Sequence, residues 1–374
     1  MKIAIIGPVF PYRGGIAHYT ASLAGSFQKL GHEVRVFSYR RQYPKWLYPG
    51  KSDKDPSQQP IQFSAEYLLD TMFPYTWIKS AQSITKYQPD IVLINWWTTF
   101  MAPVFFVIAI WMKIKKLPVY YLVHNLYPHE KRWFDRALTR LALSLGDVYI
   151  VQSQQEEQKI LNLFPKSKVY FHPHPIYDFI HDAKISKREA KIRLGLNPEL
   201  PVALFFGIVR PYKGLYSLIE CIPYMNKEGV KIQLLIAGEF WEDIQLYERK
   251  IEQLGIKDQV IVHNQYIPNE EISMYFCASD VFVAPYREGT QSGTVKLAMS
   301  FGIPIVVSEV VADDIVKSYL YARIFSLEIP NQLPKLIIST LTERYNECKK
   351  RNNNDYNWES LVRKIEKIYI SMSK

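Results

Sequence analysis

The sequence predicts an α/β fold of two Rossmann-like domains, each a parallel sheet wound with crossover helices, and three observations predict it. Strand-like apolar runs alternate with helical patterns from the first residue, the arrangement that gives parallel sheets. The alternation lapses in a Pro- and His-rich stretch, HPHPIYDFIHDAK at 172–184, and then restarts with VALFFG. Finally, 374 residues exceed one ordinary core and suit two domains of about 150–200 residues each. The expected domains are therefore 1–178 and 179–357, with a C-terminal helix, 358–374, returning to pack on the first.

Taken in order, KIAIIG opens as a buried strand and the loop PVFPYRGG follows. A helix then places Ile16, Tyr19, Leu23, Phe27 and Leu30 on one face, with Gly31 as its stop. EVRVFSY is the next strand, and 41–60 has the composition of a long loop. DIVLINWW, VYYLVHN and DVYIVQS are further strands, the last leading into a capping box formed by Ser153 and Glu156. The second domain repeats the scheme with VALFFG (202–207), KIQLLIAG (231–238), QVIVH (259–263), DVFVAP (280–285) and IPIVVS (303–308). The closing helix, from Trp358, lines up Leu361, Ile365, Ile368 and Tyr369.

Composition narrows the class. An apolar fraction of 48%, with 14% aromatic residues, fills cores and excludes a disordered chain. The start MKIAIIG reads as a strand rather than a leader. Cys221, Cys277 and Cys348 fit neither a disulfide framework nor a zinc cluster, so a reducing cytoplasm is expected. Residues 1–178 hold 21 Lys and Arg against 12 Asp and Glu, whereas the remainder holds 25 against 24. Nearly all of the net charge of +10 thus lies in the first half, together with six of the eight tryptophans. Such a half suits nucleic acid, an anionic membrane or a phosphorylated substrate. The run FMAPVFFVIAIWM (100–112), interrupted by Pro103, is short of the roughly 20 residues a spanning helix needs and reads as a buried or interfacial helix.

Three short patterns are set aside. Asp53-Lys54-Asp55 has the form of a metal-binding DxD but follows no strand, and reads as a solvated charge pair. Gly50-Lys51-Ser52 lacks the first glycine and the strand of a phosphate loop. His172-Pro173-His174 lacks companions for a metal site.

Two stretches carry chemistry. In FFGIVRPYKGLYSLIE, Arg210 and Lys213 follow a strand end at Gly207, where parallel sheets bind ligands, and two cations there can meet a diphosphate without a metal. In APYREGTQSGTVKLAMSFGIP, a strand delivers Glu288, and Gly289-Thr290-Gln291-Ser292-Gly293 leads into a helix whose N-terminus favours an anion. Each alone also reads as a well-capped helix start.

Together with RGGIAHYT after the first strand, the strand-end His-Asn of YYLVHNLYPHE and the closing YNWESLVRKIEKIY, this ordered set resembles the family 4 retaining glycosyltransferases of two-Rossmann (GT-B) architecture, in a branch with T-Q-S-G. The resemblance covers nearly the whole chain. It implies domains facing across a cleft, with Arg210 and Lys213 on the donor diphosphate and Glu288 on the transferred sugar. Backbone groups of Thr290, Gln291 and Ser292, with Gly293, would hold phosphate or sugar oxygens. Gly14 and Gly15 would let the first domain's loop close over the donor, and His124 would be the active-site histidine. It further implies a nucleotide-sugar donor but does not give the base, for which UDP is expected over GDP; no metal or other cofactor is expected. The basic first half adds the Trp96-Trp97 pair, the apolar run ending in Trp111 and a helix, KRWFDRALTRLALSL, that sets Lys131, Arg132, Arg136 and Arg140 beside Trp133, Leu138, Leu141 and Leu145, a composition suited to a bilayer interface. The expected acceptor is therefore a glycan carried on a polyprenyl diphosphate, and the protein is expected to be peripheral at the inner face of the cell membrane, in surface polysaccharide assembly. No nucleic acid is implied. One departure stands out: the family's second glutamate, which binds the ribose, has Lys296 or Leu297 in its place. A non-catalytic nucleotide-sugar-binding partner, or an epimerase or phosphorylase of the same architecture, remains open at this stage.

Overall fold

In the computed structural model, residues 1–128, 132–177, 185–343 and 356–372 are described. The chain divides into two compact units, the first made of residues 1–55, 60–175 and 354–374, the second of 56–59 and 176–353. The boundary expected at 178 lies outside the described residues.

The first unit runs β1 (Lys2–Ile6), α1 (Gly15–Lys29), β2 (Glu33–Arg41), β3 (Ala65–Asp70), α2 (Pro74–Tyr87), β4 (Ile91–Trp96), α3 (Ala102–Ile114), β5 (Val119–Val123), α4 (Asp135–Leu143), β6 (Val148–Val151), α5 (Gln154–Leu163) and β7 (Val169–Phe171). The strands form one parallel sheet in the order β3-β2-β1-β4-β5-β6-β7. β4 and β5 are wholly buried, as continuous apolar runs in a sheet covered on both faces must be.

The second unit continues with α6 (Lys187–Arg193), β8 (Val202–Phe206), α7 (Leu215–Lys227), β9 (Gln233–Ala237), α8 (Gln245–Gln253), β10 (Val260–His263), α9 (Asn269–Cys277), β11 (Val281–Ala284), α10 (Gly293–Ser300), β12 (Ile305–Ser308), α11 (Asp314–Lys317), β13 (Ala322–Phe325) and α12 (Gln332–Thr342). Its parallel sheet has the order β10-β9-β8-β11-β12-β13. The last helix, α13 (Trp358–Met372), belongs to the first unit and packs on α1, burying Trp358, Leu361, Val362, Ile365 and Ile368. His172 reaches it through a 3.0 Å hydrogen bond between Nε2 and Ser360 Oγ.

Several local expectations change. β3 and β13 are edge strands that the apolar pattern does not announce. Pro103 does not interrupt its helix; it occupies the first turn of α3, where a missing N–H costs nothing. Trp96 is fully buried and Trp97 and Trp111 pack half-buried against the core, so none of the three forms an interfacial belt. The capping box after β6 is half formed: Ser153 Oγ accepts from Glu156 N, while the Glu156 carboxylate accepts from Leu126 N instead of reaching back. Asp53-Lys54-Asp55 is not a solvated charge pair either, because the Asp55 side chain is 2% exposed.

Candidate active site

In the second sheet the strand order reverses between β8 and β11, which are hydrogen-bonded neighbours. Ligands of open α/β sheets bind beyond the carboxyl ends of the strands at such a switch point. The loops leaving these two strands are the two stretches singled out from sequence.

After β8 the chain turns at Gly207 (φ 98°), and Arg210 opens a short 3₁₀ turn, Pro211–Lys213. Gly214 then starts α7 with φ 70°, and a Cβ there would stand 1.9 Å from Pro285 O. Only glycine therefore lets this loop close onto the end of β11. The Arg210 guanidinium lies 4.6 Å from the centroid of the Trp241 ring, and the Lys213 ammonium 5.5 Å from that of Tyr286. Lys213 is buried, whereas Glu288 is exposed. Aromatic faces thus support both cations.

After β11, Gly289 has φ 146°, and a Cβ on it would stand 2.9 Å from Val311 Cγ1. Ser292 caps α10, its Oγ accepting from Val295 N, and shares a 2.9 Å bond with Thr294 Oγ1. Thr294 Oγ1 also meets Tyr286 OH at 2.9 Å. Thr290 Oγ1 and Gln291 Oε1 are buried atoms without a hydrogen-bond partner among the described residues, and buried polar atoms in native sites normally have one. Gly293 begins α10, so this loop presents a helix N-terminus and two uncommitted oxygens beside two supported cations. The arrangement suits a ligand that is anionic at one end and rich in hydroxyls at the other.

Position 296, where an acid was expected, instead holds a wholly buried lysine paired with Asp313; Leu297 is also buried. Sequence reasoning missed Trp241, Tyr286 and Asp313. The first two lie in the loops that leave β9 and β11, in GEFWED and APYREG, which was the available signal.

In the first unit, Gly14 (φ 102°) is the N-cap of α1 and Gly15 its first residue, after β1. His124 follows β5 and is 2% exposed. Its Nε2 faces Asn95 Oδ1 at 2.9 Å and its Nδ1 faces Gln152 Nε2 at 3.1 Å. This pattern makes Nε2–H the donor to Asn95, with Nδ1 accepting from Gln152. Burial, with His174 nearby, pushes its pKa down to about 3, so the ring is neutral. His124 is thus built as a fixed hydrogen-bonding group rather than a proton acceptor.

Comparison with known proteins agrees. The family described as "Glycosyltransferase Family 4" matches residues 13–177, and "Glycosyl transferases group 1" matches residues 200–341. The protein is a glycosyltransferase. The glycosyltransferase is 24% identical over 323 residues to the alpha-monoglucosyldiacylglycerol synthase of Streptococcus pneumoniae, covering 79% of this chain and 68% of that one. It is 24% identical over 336 residues to the putative teichuronic acid biosynthesis glycosyltransferase TuaC of Bacillus subtilis, covering 83% and 81%. Among solved structures it superposes on HepE of Anabaena in complex with UDP with a TM-score of 0.73 and 15% identity, covering 99% and 100%. WaaG, a glycosyltransferase of lipopolysaccharide biosynthesis, gives a TM-score of 0.65 at 15% identity, covering 99% of both chains. The glycosyltransferase therefore has the GT-B fold of these enzymes.

Proposed function

We propose that this enzyme is a retaining, metal-independent glycosyltransferase that moves a sugar from a UDP-sugar to a glycan acceptor on a lipid-linked diphosphate, in surface polysaccharide assembly. The observation that carries the reading is the meeting of two loops, distant in sequence, at the β8–β11 switch point. There Arg210, Lys213 and the α10 N-terminus lie on neighbouring strand ends. The difficult step is departure of the diphosphate, on which negative charge grows as the sugar becomes oxocarbenium-like. Preorganised cations and backbone N–H groups stabilise that charge without reorganising, the role a metal plays in other enzymes. Glu288 and the free oxygens of Thr290 and Gln291 take the sugar hydroxyls, Gly14 and Gly15 admit the donor closely, and His124, its ring held between Asn95 and Gln152, orders the end of β5. The acceptor hydroxyl attacks from the face the diphosphate leaves, the sugar–diphosphate C–O bond breaks, and the hydroxyl's proton passes to the departing diphosphate oxygen, so that configuration is retained.

The lipid part rests on relatives named for diacylglycerol and glycolipid acceptors and on one surface of the first unit. Trp133 is 93% exposed, Arg136, Arg140 and Leu141 on α4 are exposed, and so are Ile110 and Ile114 on α3, the helix that α4 contacts. Each such cation contributes about 1 kcal/mol near an anionic bilayer, and tryptophan favours its interface. No described helix is long and apolar enough to cross a membrane, and the proposed attachment is through this surface. Lys131, expected in the same cluster, lies outside the described residues.

Thermal-shift titration with UDP-, GDP- and ADP-sugars tests the donor reading. Stabilisation by a UDP-sugar that disappears in Arg210→Ala is expected; no response to any nucleotide sugar would overturn it. Flotation with anionic vesicles at low salt tests the surface, and binding should fade as salt screens the charge.

A further inference from the structure

Asp53-Lys54-Asp55, the motif that resembles a metal site, does something else. Arg13 N donates to Asp53 O at 3.1 Å and Asp55 N donates to Pro11 O at 2.9 Å, and Tyr12 and Lys54 pair as an antiparallel bridge. The segment is thus a short added strand along the loop between β1 and α1. Side chains reinforce it: the Lys54 ammonium stands 3.4 Å from the centroid of the Tyr12 ring, and Tyr12 itself is buried. The Asp55 carboxylate lies 3.5 Å from Nε2 of His18, in the first turn of α1. Tyr48 OH accepts from Arg13 Nε at 3.0 Å, and Tyr67 OH donates to Phe10 O. Residues 10–13, and the start of α1 with Gly14 and Gly15, are therefore held by groups that lie far along the chain.

A carboxylate is costly to bury, and in a loop that only had to be soluble an asparagine or serine would serve. We propose that Asp53-Lys54-Asp55 is a positioning clamp for the glycine loop: it fixes the backbone of residues 10–15 in the geometry the transfer reaction requires, and it binds no metal. This rests on the reading that Gly14 and Gly15 approach the donor. Asp55 acts through His18 and the loop backbone, and is a positioning residue rather than a catalytic one. A misplacement of about 1 Å in such a loop is enough to cost about 10²-fold in rate.

The test compares the full-length wild type with Asp55→Asn, Asp55→Ala and Lys54→Ala. Three quantities are read: hydrogen–deuterium exchange of residues 8–18, affinity for UDP, and UDP release from UDP-glucose with and without EDTA. Expected are faster exchange confined to that segment and turnover lowered by about 10–10²-fold, with UDP affinity unchanged because Arg210 and Lys213 are untouched. Should Asp55→Ala fail to fold, the isosteric Asp55→Asn and the surface-side Lys54→Ala decide. Unaltered exchange, or faster exchange with full turnover, would overturn the clamp. So would activity that EDTA abolishes and Mn²⁺ restores only when both aspartates are present. A wild type that fails to bind UDP would defeat the donor reading alone, because the exchange comparison judges the clamp without a ligand.

Discussion

Lys296 and Asp313 form an ion pair in which the lysine is wholly shielded from water and the carboxylate 5% exposed. Asp313 Oδ1 also accepts from Val316 N at 3.0 Å, so one oxygen fixes α10 and caps α11 at once. Burial pulls the Lys296 pKa down and Asp313 pulls it back up, the net direction being down. Removing one partner strands a charge in the core. Lys296→Ala or Asp313→Asn should cost about 3–5 kcal/mol in urea unfolding, whereas Lys296→Met with Asp313→Leu should cost much less than either. Equal losses for single and double variants would contradict the pairing.

Arg210→Ala and Lys213→Ala should each lower turnover by about 10²–10³-fold, the scale of one lost charge-stabilising group. Circular dichroism should remain native. Full activity in Arg210→Ala with a competent donor and acceptor would remove the switch point from the mechanism.

Transfer should persist in excess EDTA. On the proposed reading Arg210 and Lys213, at the β8 end, supply the charge that a metal would. Loss of activity that Mg²⁺ or Mn²⁺ alone restores would contradict this.

Gly214→Ala should destabilise the second unit by more than about 2 kcal/mol, because φ of 70° strains alanine and its methyl group meets Pro285 O. Ala at Gly229, also at positive φ but with open space around it, is the control that isolates the collision. Similar melting shifts for both would show that backbone strain alone matters.

Acid should weaken the fold through histidines. Burial is the chief cause that lowers His124 to about 3 and His172 to about 4, against an ordinary value of 6.5. The unfolded chain then binds more protons than the folded one throughout that interval. Their contribution is fully present above about pH 6.5 and is lost as pH falls toward 3–4. Urea midpoints measured from pH 8 to 4 should decline below 6.5, and His124→Gln should flatten the decline. The same shift predicts that His124 leaves no limb in the pH–rate profile at neutral pH.

The switch-point loops were legible because their residues announce their own backbone: a buried run, a glycine, then cations or small polar groups before a helix. Arg210, Lys213 and the loop from Glu288 to Gly293 were found that way. What the sequence hides is whatever depends on distant partners. β3 carries no continuous apolar run, since an edge strand is buried on fewer sides. Trp96-Trp97 reads as an interfacial pair until the sheet puts Trp96 at its centre. Asp55 looks solvated because His18 and Pro11, which bury it, precede it by a long stretch of chain. Lys296 reads as a missing acid because Asp313 cannot be paired with it by any local period.

The return of α13 to α1 ties stretches on either side of the second unit into one core. The first unit is begun before the second but needs residues 358–372, which follow the whole of the second. During synthesis its sheet can assemble while the site on α1 that takes Trp358, Leu361 and Ile365 stays uncovered. The second unit, interposed, must leave the ribosome before that surface is closed. A chain cut short before Trp358 would therefore fail in the unit whose sheet is already made, and proteolysis there would report a defect that lies beyond the second unit.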